Sequence, residues 1–219
     1  HFDTEIIIQF IIMKYKIHEY PIPTYYGDEI SYVNGFKYAF NVIKQSILSR
    51  IFRLGIFYDK KYDLYSDEIY MDKTDFKSSH LYALKHINNN ENIIDFGSSD
   101  GHIIEKLREK KCLIKGIDIE NTKQKNKFDE FEEIDLNKNF PKNISKFNTF
   151  LLLDILEHLN NADEFLQKLS NNININDKTK IIASTGNIAF IVIRIMLLLG
   201  EFNYGKRGIL DKTHTRLFT

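Results

Sequence analysis

Two groups of residues in this chain have types and spacings suited to chemistry. The first is Asp95-Phe-Gly97-Ser98-Ser99-Asp100-Gly101, followed at Asp118 by an acid that ends an apolar run. Glycine has no Cβ, so Gly97 and Gly101 let the backbone come close to a ligand. A helix starting directly after them offers N–H groups that have no partner inside the helix. Asp118 lies 21 residues beyond Gly97. An acid about 20 residues past the first glycine accepts hydrogen bonds from ribose in nucleotide-binding units of this shape. The pattern is that of a nucleoside site, and two cofactors compete for it. NAD calls for G-x-G-x-x-G, and the third glycine is missing here. Asp100 also places a negative charge in the turn, which repels a pyrophosphate and suits an amine or a sulfonium. The charge favours S-adenosylmethionine (SAM).

The second group is Asp154-Ile-Leu-Glu157-His158-Leu159, together with His214-Thr-Arg216-Leu-Phe218-Thr219. The segment from Asp154 follows Phe147–Leu153, the clearest buried strand of the chain. Residues past the carboxyl end of a central strand line the ligand crevice of an open α/β sheet. A carboxylate there can face a sulfonium. Histidine as a residue type changes charge near neutrality, so His158 is a candidate to take a proton from an acceptor; a structural hydrogen bond is the competing role. From their residue types alone, His214 and Arg216 fit capping and salt bridging. His80, His86 and His102 lack ligand spacing with cysteine or acids, so no metal site is expected.

Alternating elements must position these groups. Strands are expected over 93–96, 113–117, 131–134, 147–153 and 180–183. Helices are expected over 75–88, 102–110 and 161–171. In the first of these Leu81, Leu84 and Ile87 should face the sheet. Such alternation gives an α/β fold, a Rossmann-like doubly wound sheet. Ile188–Leu199 is strongly apolar, interrupted by Arg194. It is shorter than the about 20 residues a membrane span needs. A core helix or a wall of the acceptor site is the preferred reading, and peripheral contact with a membrane surface is the second. Nearer the start, the spacing predicts a helix over 5–13, a strand over 16–20, a turn over 24–29 and an amphipathic helix over 35–54. Tyr58, Tyr62, Tyr65, Tyr70 and Tyr82 either form a lid near the nucleoside site or shield a linker from water.

Composition sets outer bounds. The chain has 219 residues, 43% of them hydrophobic, enough for one or two domains with a real core. Its 30 basic and 30 acidic residues cancel, which leaves no electrostatic case for a nucleic-acid partner. Cys112 is the single cysteine. It excludes an internal disulfide and fits a reducing, cytoplasmic setting.

Asp95, Gly97, Ser99 and Gly101 resemble motif I of the class I SAM-dependent methyltransferases, D-x-G-x-G-x-G, with Ser99 in place of the middle glycine. The resemblance implies that Asp95, Gly97, Ser98, Asp100 and Gly101 line the methionine side. It places Asp118 on the ribose, Asp135 with Leu136 at the adenine, and Asp154 at the pocket floor. Asp135 read from the residues alone is equally a turn-former. Asp154–Leu159 and His214–Thr219 are similar to family segments after the fourth strand and over the active site; the second similarity implies His214 as a second candidate base and Arg216 as an anion anchor for the acceptor.

Phe2-Asp-Thr-Glu5 and Glu19-Tyr-Pro-Ile-Pro-Thr-Tyr-Tyr-Gly-Asp-Glu29 are similar to the C-terminal end of family 2 glycosyltransferases of the dolichol-phosphate-mannose-synthase kind. That implies a glycosyltransferase remnant over 1–55, a linker or lid over 56–74 and a methyltransferase domain over 75–219. The class I fold has seven strands, and the five expected here end by Ser184. An incomplete C-terminal side, and weak cofactor binding with it, are therefore expected. The expected function is methyl transfer to oxygen or nitrogen of a small-molecule, glycan or lipid-linked sugar acceptor. The alternatives are a fragment of a glycosyltransferase fusion, a SAM-binding module without turnover, and an NAD-binding domain.

Overall fold

The computed structural model describes residues 2–23, 27, 33–53, 59–64, 77–99, 101, 103–120, 125–200, 202–205 and 208–219. In chain order the elements are α1 (Phe2–Ile12), α2 (Gly35–Arg53), α3 (Ser79–His86), β1 (Asn92–Phe96), α4 (Ile104–Glu109), β2 (Leu113–Asp118), β3 (Glu130–Glu133), β4 (Thr149–Leu153), α5 (Ala162–Asn172), β5 (Lys180–Ser184) and α6 (Ile191–Leu198). They fall into two compact units. One comprises residues 1–69 and 190–212, the other residues 70–189 and 213–219.

The second unit holds a parallel sheet in the order β3-β2-β1-β4-β5. This is the expected Rossmann-like α/β architecture. The two central strands read as continuous apolar runs because both of their faces are covered. On one face Ile94, Phe96, Phe150 and Leu152 pack with Ala162, Phe165 and Leu169 of α5. On the other, Ile93, Ile114 and Leu151 pack with Ala83 and Leu84 of α3 and with Ile104 and Leu107 of α4. Each fully buried side chain of this kind contributes roughly 1.5–3 kcal/mol. β5 alternates between half-buried and exposed residues, as an edge strand does. The sheet's opposite end, away from the strands' carboxyl ends, is tied by buried Glu91. It accepts from the Thr149 hydroxyl at 2.6 Å and pairs with Lys180.

Several boundaries differ from expectation for visible reasons. α3 starts late because the Ser78 hydroxyl accepts from Leu81 N at 3.1 Å and caps it. Ala83, Leu84 and Ile87 are its buried positions, while Leu81 is half-buried. α6 starts at Ile191, because Ile188 N–H donates to the Phe218 carbonyl at 2.8 Å instead of entering the helix. The strand expected over 16–20 does not form: these residues are exposed and irregular, and among the described residues no strand lies beside them to take up their backbone groups.

In the first unit Tyr62 is neither lid nor shield. It is fully buried, its ring lies 6.0 Å from that of Phe52, and its hydroxyl donates to Gln45 Oε1 at 3.0 Å. Tyr82 is exposed and stacks on His86. Tyr58, Tyr65, Tyr70 and all but Gly27 of the expected turn over 24–29 lie outside the described residues.

Gly116 sits in β2 opposite Asp95. A Cβ there would come within 2.5 Å of the Phe128 ring. Gly116→Ala is expected to cost about 1–3 kcal/mol by overpacking. In urea unfolding, Phe128→Leu added to Gly116→Ala should cost less than the two single changes combined.

Candidate active site

The sequence candidates gather at the carboxyl ends of the strands. The turn after β1 takes left-handed backbone at Gly97, Ser99 and Gly101, with φ of 72°, 46° and 68°. Glycine is needed at two of the three for space as well. A Cβ on Gly97 would lie 2.8 Å from Ile155 Cδ1, and one on Gly101 would lie 2.2 Å from Ile104 Cδ1. Ser99 adopts the same backbone with a side chain, at a cost of about 1–2 kcal/mol.

The neighbouring strand offsets that strain. Gly97 N and Ser98 N donate to the Ile117 carbonyl at 2.8 and 3.1 Å, and Ser99 N donates to Asp118 Oδ2 at 2.7 Å. Asp118 Oδ1 accepts from Glu120 N at 3.1 Å. The acid expected to clamp a ribose thus also holds the glycine turn. Each carboxylate oxygen keeps a second lone pair for a ligand. Asp100 and His102 lie outside the described residues.

Asp95 points from β1 into a buried position and is 6% exposed. Burial, and then the negative charge of Asp118, push its carboxyl up to about 7. Asp154 leaves β4 with a left-handed φ of 55°. Its Oδ1 accepts from the Ser184 hydroxyl at 2.7 Å, and its Oδ2 lies 4.0 Å from His80 Nε2. His80 and Ser184 are members of the site that the sequence did not disclose. No spacing rule links a residue at the start of α3 to one 74 positions later.

Glu157, part of the Asp154–Leu159 group singled out in the sequence, gains contacts that its spacing did not disclose. It is 3% exposed, and its Oε1 accepts from Gly186 N at 3.2 Å. Its main-chain carbonyl accepts from Thr215 N at 2.8 Å and from the Thr215 hydroxyl at 3.1 Å. These bonds strap residues 213–219 beside the loop after β4. His158 and His214 therefore meet edge to face, with ring centroids 4.7 Å apart, and Thr213 Oγ1 lies 3.0 Å from His158 Nδ1.

Other candidates have local partners. Asp135 accepts from Asn137 N at 3.0 Å and pairs with Lys138 at 3.1 Å. These two contacts, the Asn137 bond first, hold its carboxyl below its usual range. Leu136 packs half-buried against the core. The Arg216 guanidinium pairs with Asp163 at 2.8 Å and lies over the Phe218 ring. Among the described residues no three metal-binding side chains cluster.

Three buried side-chain atoms in this region have no hydrogen-bond partner among the described residues: Ser98 Oγ, Glu157 Oε2 and Thr185 Oγ1. Leaving such a group unpaired costs about 1–3 kcal/mol. They follow β1, β4 and β5, where a ligand of an open α/β sheet sits. Together with the acids, they suit a polar ligand that donates hydrogen bonds and carries positive charge.

A family model described as a methyltransferase domain matches residues 69–205, more than half of the chain. This chain belongs to that methyltransferase family. Membership agrees with SAM as the expected cofactor and removes the NAD-binding alternative. No curated protein matches the chain. Several solved structures are similar to this methyltransferase. One is a putative methyltransferase from Bacillus halodurans C-125, with 13% identity over 64% of this chain and 63% of that one, and a TM-score of 0.48. Another is the plantazolicin methyltransferase BpumL in complex with a pentazolic desmethyl analog and S-adenosylhomocysteine, with 18% identity over 81% and 73% and a TM-score of 0.48. A SAM-dependent methyltransferase from Archaeoglobus fulgidus shows 17% identity over 68% and 67%, and a TM-score of 0.46. The chain spans 63% of the length of the first of these.

The methyltransferase's buried Asp95 makes its stability depend on pH. A carboxyl raised above its unfolded value of about 3.9 holds its proton more tightly in the folded state. Stability is then fully present below about 4 and is lost as pH rises to about 7. Asp95→Asn should remove that loss. Its melting temperature is expected to exceed that of the wild type by several degrees at pH 8 and to fall no higher at pH 4.5, read by calorimetry at both pH values.

Proposed function

We propose that this methyltransferase transfers a methyl group from SAM to an oxygen or nitrogen of a small-molecule, glycan or lipid-linked sugar acceptor. The observation that carries the reading is the turn after β1, left-handed at Gly97, Ser99 and Gly101 and closed onto Asp118, with buried Asp95 and polar atoms that have no partner among the described residues at the same end of the sheet. SAM supplies an electrophilic methyl carbon whose bond to sulfur breaks as the bond to the acceptor forms, with the electron pair staying on sulfur.

The chain's residues bind and orient. In this reading Asp118 holds the ribose hydroxyls, and Asp135 with Leu136 borders the adenine. Asp95, Gly97, Ser98, Asp100 and Gly101 enclose the methionine side, and Asp154 forms the pocket floor. Positioning supplies most of the rate, because the methyl group is already activated. His158 serves an acceptor that must lose a proton. Thr213 Oγ1 lies 3.0 Å from His158 Nδ1; in the tautomer whose Nδ1–H donates to it, Nε2 is the nitrogen that takes the proton. His214, against the same ring, is the second base. Arg216 exchanges Asp163 for an anionic group of the acceptor. Residues 1–55 enter this reading as a glycosyltransferase remnant, on the similarity of Phe2–Glu5 and Glu19–Glu29 alone. That association makes a glycan or lipid-linked sugar the preferred acceptor.

Calorimetric titration tests the cofactor assignment. S-adenosylhomocysteine should bind saturably and NADH should not. Asp118→Ala should weaken S-adenosylhomocysteine by at least about tenfold, a loss of one good hydrogen-bonded contact to a charged group. A melting curve on the variant separates loss of the clamp from collapse of the turn. Saturable binding with no methyl transfer to any acceptor would select the module without turnover. Failure of the wild type to bind would sink the cofactor assignment.

A further inference from the structure

α2 leaves one apolar stripe in water. Its less exposed positions are Asn41, Val42, Gln45, Leu48, Ser49, Ile51 and Phe52, a face that mixes apolar and polar side chains. Gln45 accepts from the Tyr62 hydroxyl at 3.0 Å, and Ser49 donates to the Ser46 carbonyl at 2.9 Å. The opposite face carries Phe36, Phe40, Ile43 and Ile47 at i, i+4, i+7, i+11. They are 92%, 67%, 58% and 53% exposed. A helix set by its own unit's packing turns such a stripe inward. Here packing has taken a mixed face and left Phe36, Phe40, Ile43 and Ile47 exposed. A contiguous exposed apolar stripe marks an interaction surface.

Charge identifies what covers it. α2 contains Lys37, Lys44, Arg50 and Arg53 and no acid, although the chain as a whole is neutral. At 3.6 residues per turn, Lys37 and Lys44 lie along one side of the stripe and Arg50 along the other. Long cationic side chains beside an apolar stripe reach a headgroup layer while the rings enter the acyl boundary. α6, in the same unit, repeats the composition. Ile191, Ile195 and Leu198 are exposed, and Arg194 is its only charged residue. Among the described residues no helix is long and apolar enough to cross a membrane, so contact would be at the surface. A second copy is a poor occupant: pairing α2 with itself sets Lys37, Lys44 and Arg50 against their own kind. An uncharged partner leaves the cations without a role.

We infer that α2 docks on an anionic lipid surface. Phe36, Phe40, Ile43 and Ile47 insert at the headgroup boundary, and Lys37, Lys44 and Arg50 contact the lipid anions. The inference does not rest on the methyl-transfer reading, because no residue of the candidate site takes part.

Flotation of the full chain with vesicles tests it. The chain should float with phosphatidylcholine vesicles containing about 30 mol % phosphatidylserine and remain behind with pure phosphatidylcholine. Binding should weaken as salt rises, since surface charges are screened over about 8 Å at physiological ionic strength. Phe36→Ser/Phe40→Ser and, separately, Lys37→Glu/Lys44→Glu should each lower partitioning by on the order of tenfold or more. Far-UV circular dichroism and melting temperature should not change, because all four side chains are exposed. Absence of flotation with the anionic vesicles overturns the inference, as does equal flotation of wild type and both double variants. A wild-type dimer in light scattering that Phe36→Ser/Phe40→Ser makes monomeric would give the stripe to a second copy and overturn it too.

Discussion

One hydrogen bond organises the site: Ser99 N–H to the Asp118 carboxylate, at 2.7 Å. It runs from the turn after β1 to the tip of β2 and fixes three left-handed residues in one loop. Two main-chain bonds from Gly97 and Ser98 to the Ile117 carbonyl support it. They form because β1 and β2 are parallel and in register, Phe96 facing Ile117. Shifting either strand by one residue would turn its apolar side chains to the wrong face and carry the acceptor away from the loop. The core thus determines the turn through register, and the turn determines where backbone N–H groups face a ligand.

The fold was legible where burial dominates. Ile93, Ile94 and Phe96, Leu113 to Ile117, and Phe147 to Leu153 are apolar runs between turn residues, and each became a central strand. Sequence reasoning failed where tertiary partners decide. Lys16 to Tyr20 has a strand's composition, but a strand needs a neighbour, and none is present among the described residues. The amphipathic helix expected over 35–54 formed as α2, yet nothing in its spacing says which of its apolar positions stay exposed, or that Gln45 and Ser49 meet the fold. Tyr62 counted as one of a cluster of tyrosines, whereas its hydroxyl has one partner, Gln45, that makes full burial tolerable.

The same division holds for the site. Gly97, Gly101 and Asp118 are local in sequence, and their roles follow from strand–turn–helix geometry. His80, Ser184 and Glu157 are not. Each acquires its place through a contact across the sheet: His80 and Ser184 toward Asp154, Glu157 toward Gly186 and Thr215. The Glu157 strap also brings together His158 and His214, which were separate candidates in the sequence. Glu157 Oε2 has no partner among the described residues, and a buried side-chain oxygen left so is costly unless a ligand or water uses it. That makes Glu157 a stronger candidate for ligand contact than its position beside His158 implied.

Strained backbone and like charge meet at the carboxyl end of the sheet. Ser99 and Asp154 hold left-handed backbone, Asp95 is buried near the charge of Asp118, and Ser98 Oγ, Glu157 Oε2 and Thr185 Oγ1 have no hydrogen-bond partner among the described residues. Each feature opposes folding by roughly 1–3 kcal/mol. A folded chain can carry that load only if the rest of the unit compensates, and the central strands do: β4 is buried at every position and β1 at all but its first. A site arranged this way binds a positively charged, hydrogen-bonding ligand with part of the cost already met, since the ligand relieves repulsion between acids that are present without it. The electrostatics that weaken the empty fold are those that select the ligand, and Asp95 is where the two effects meet.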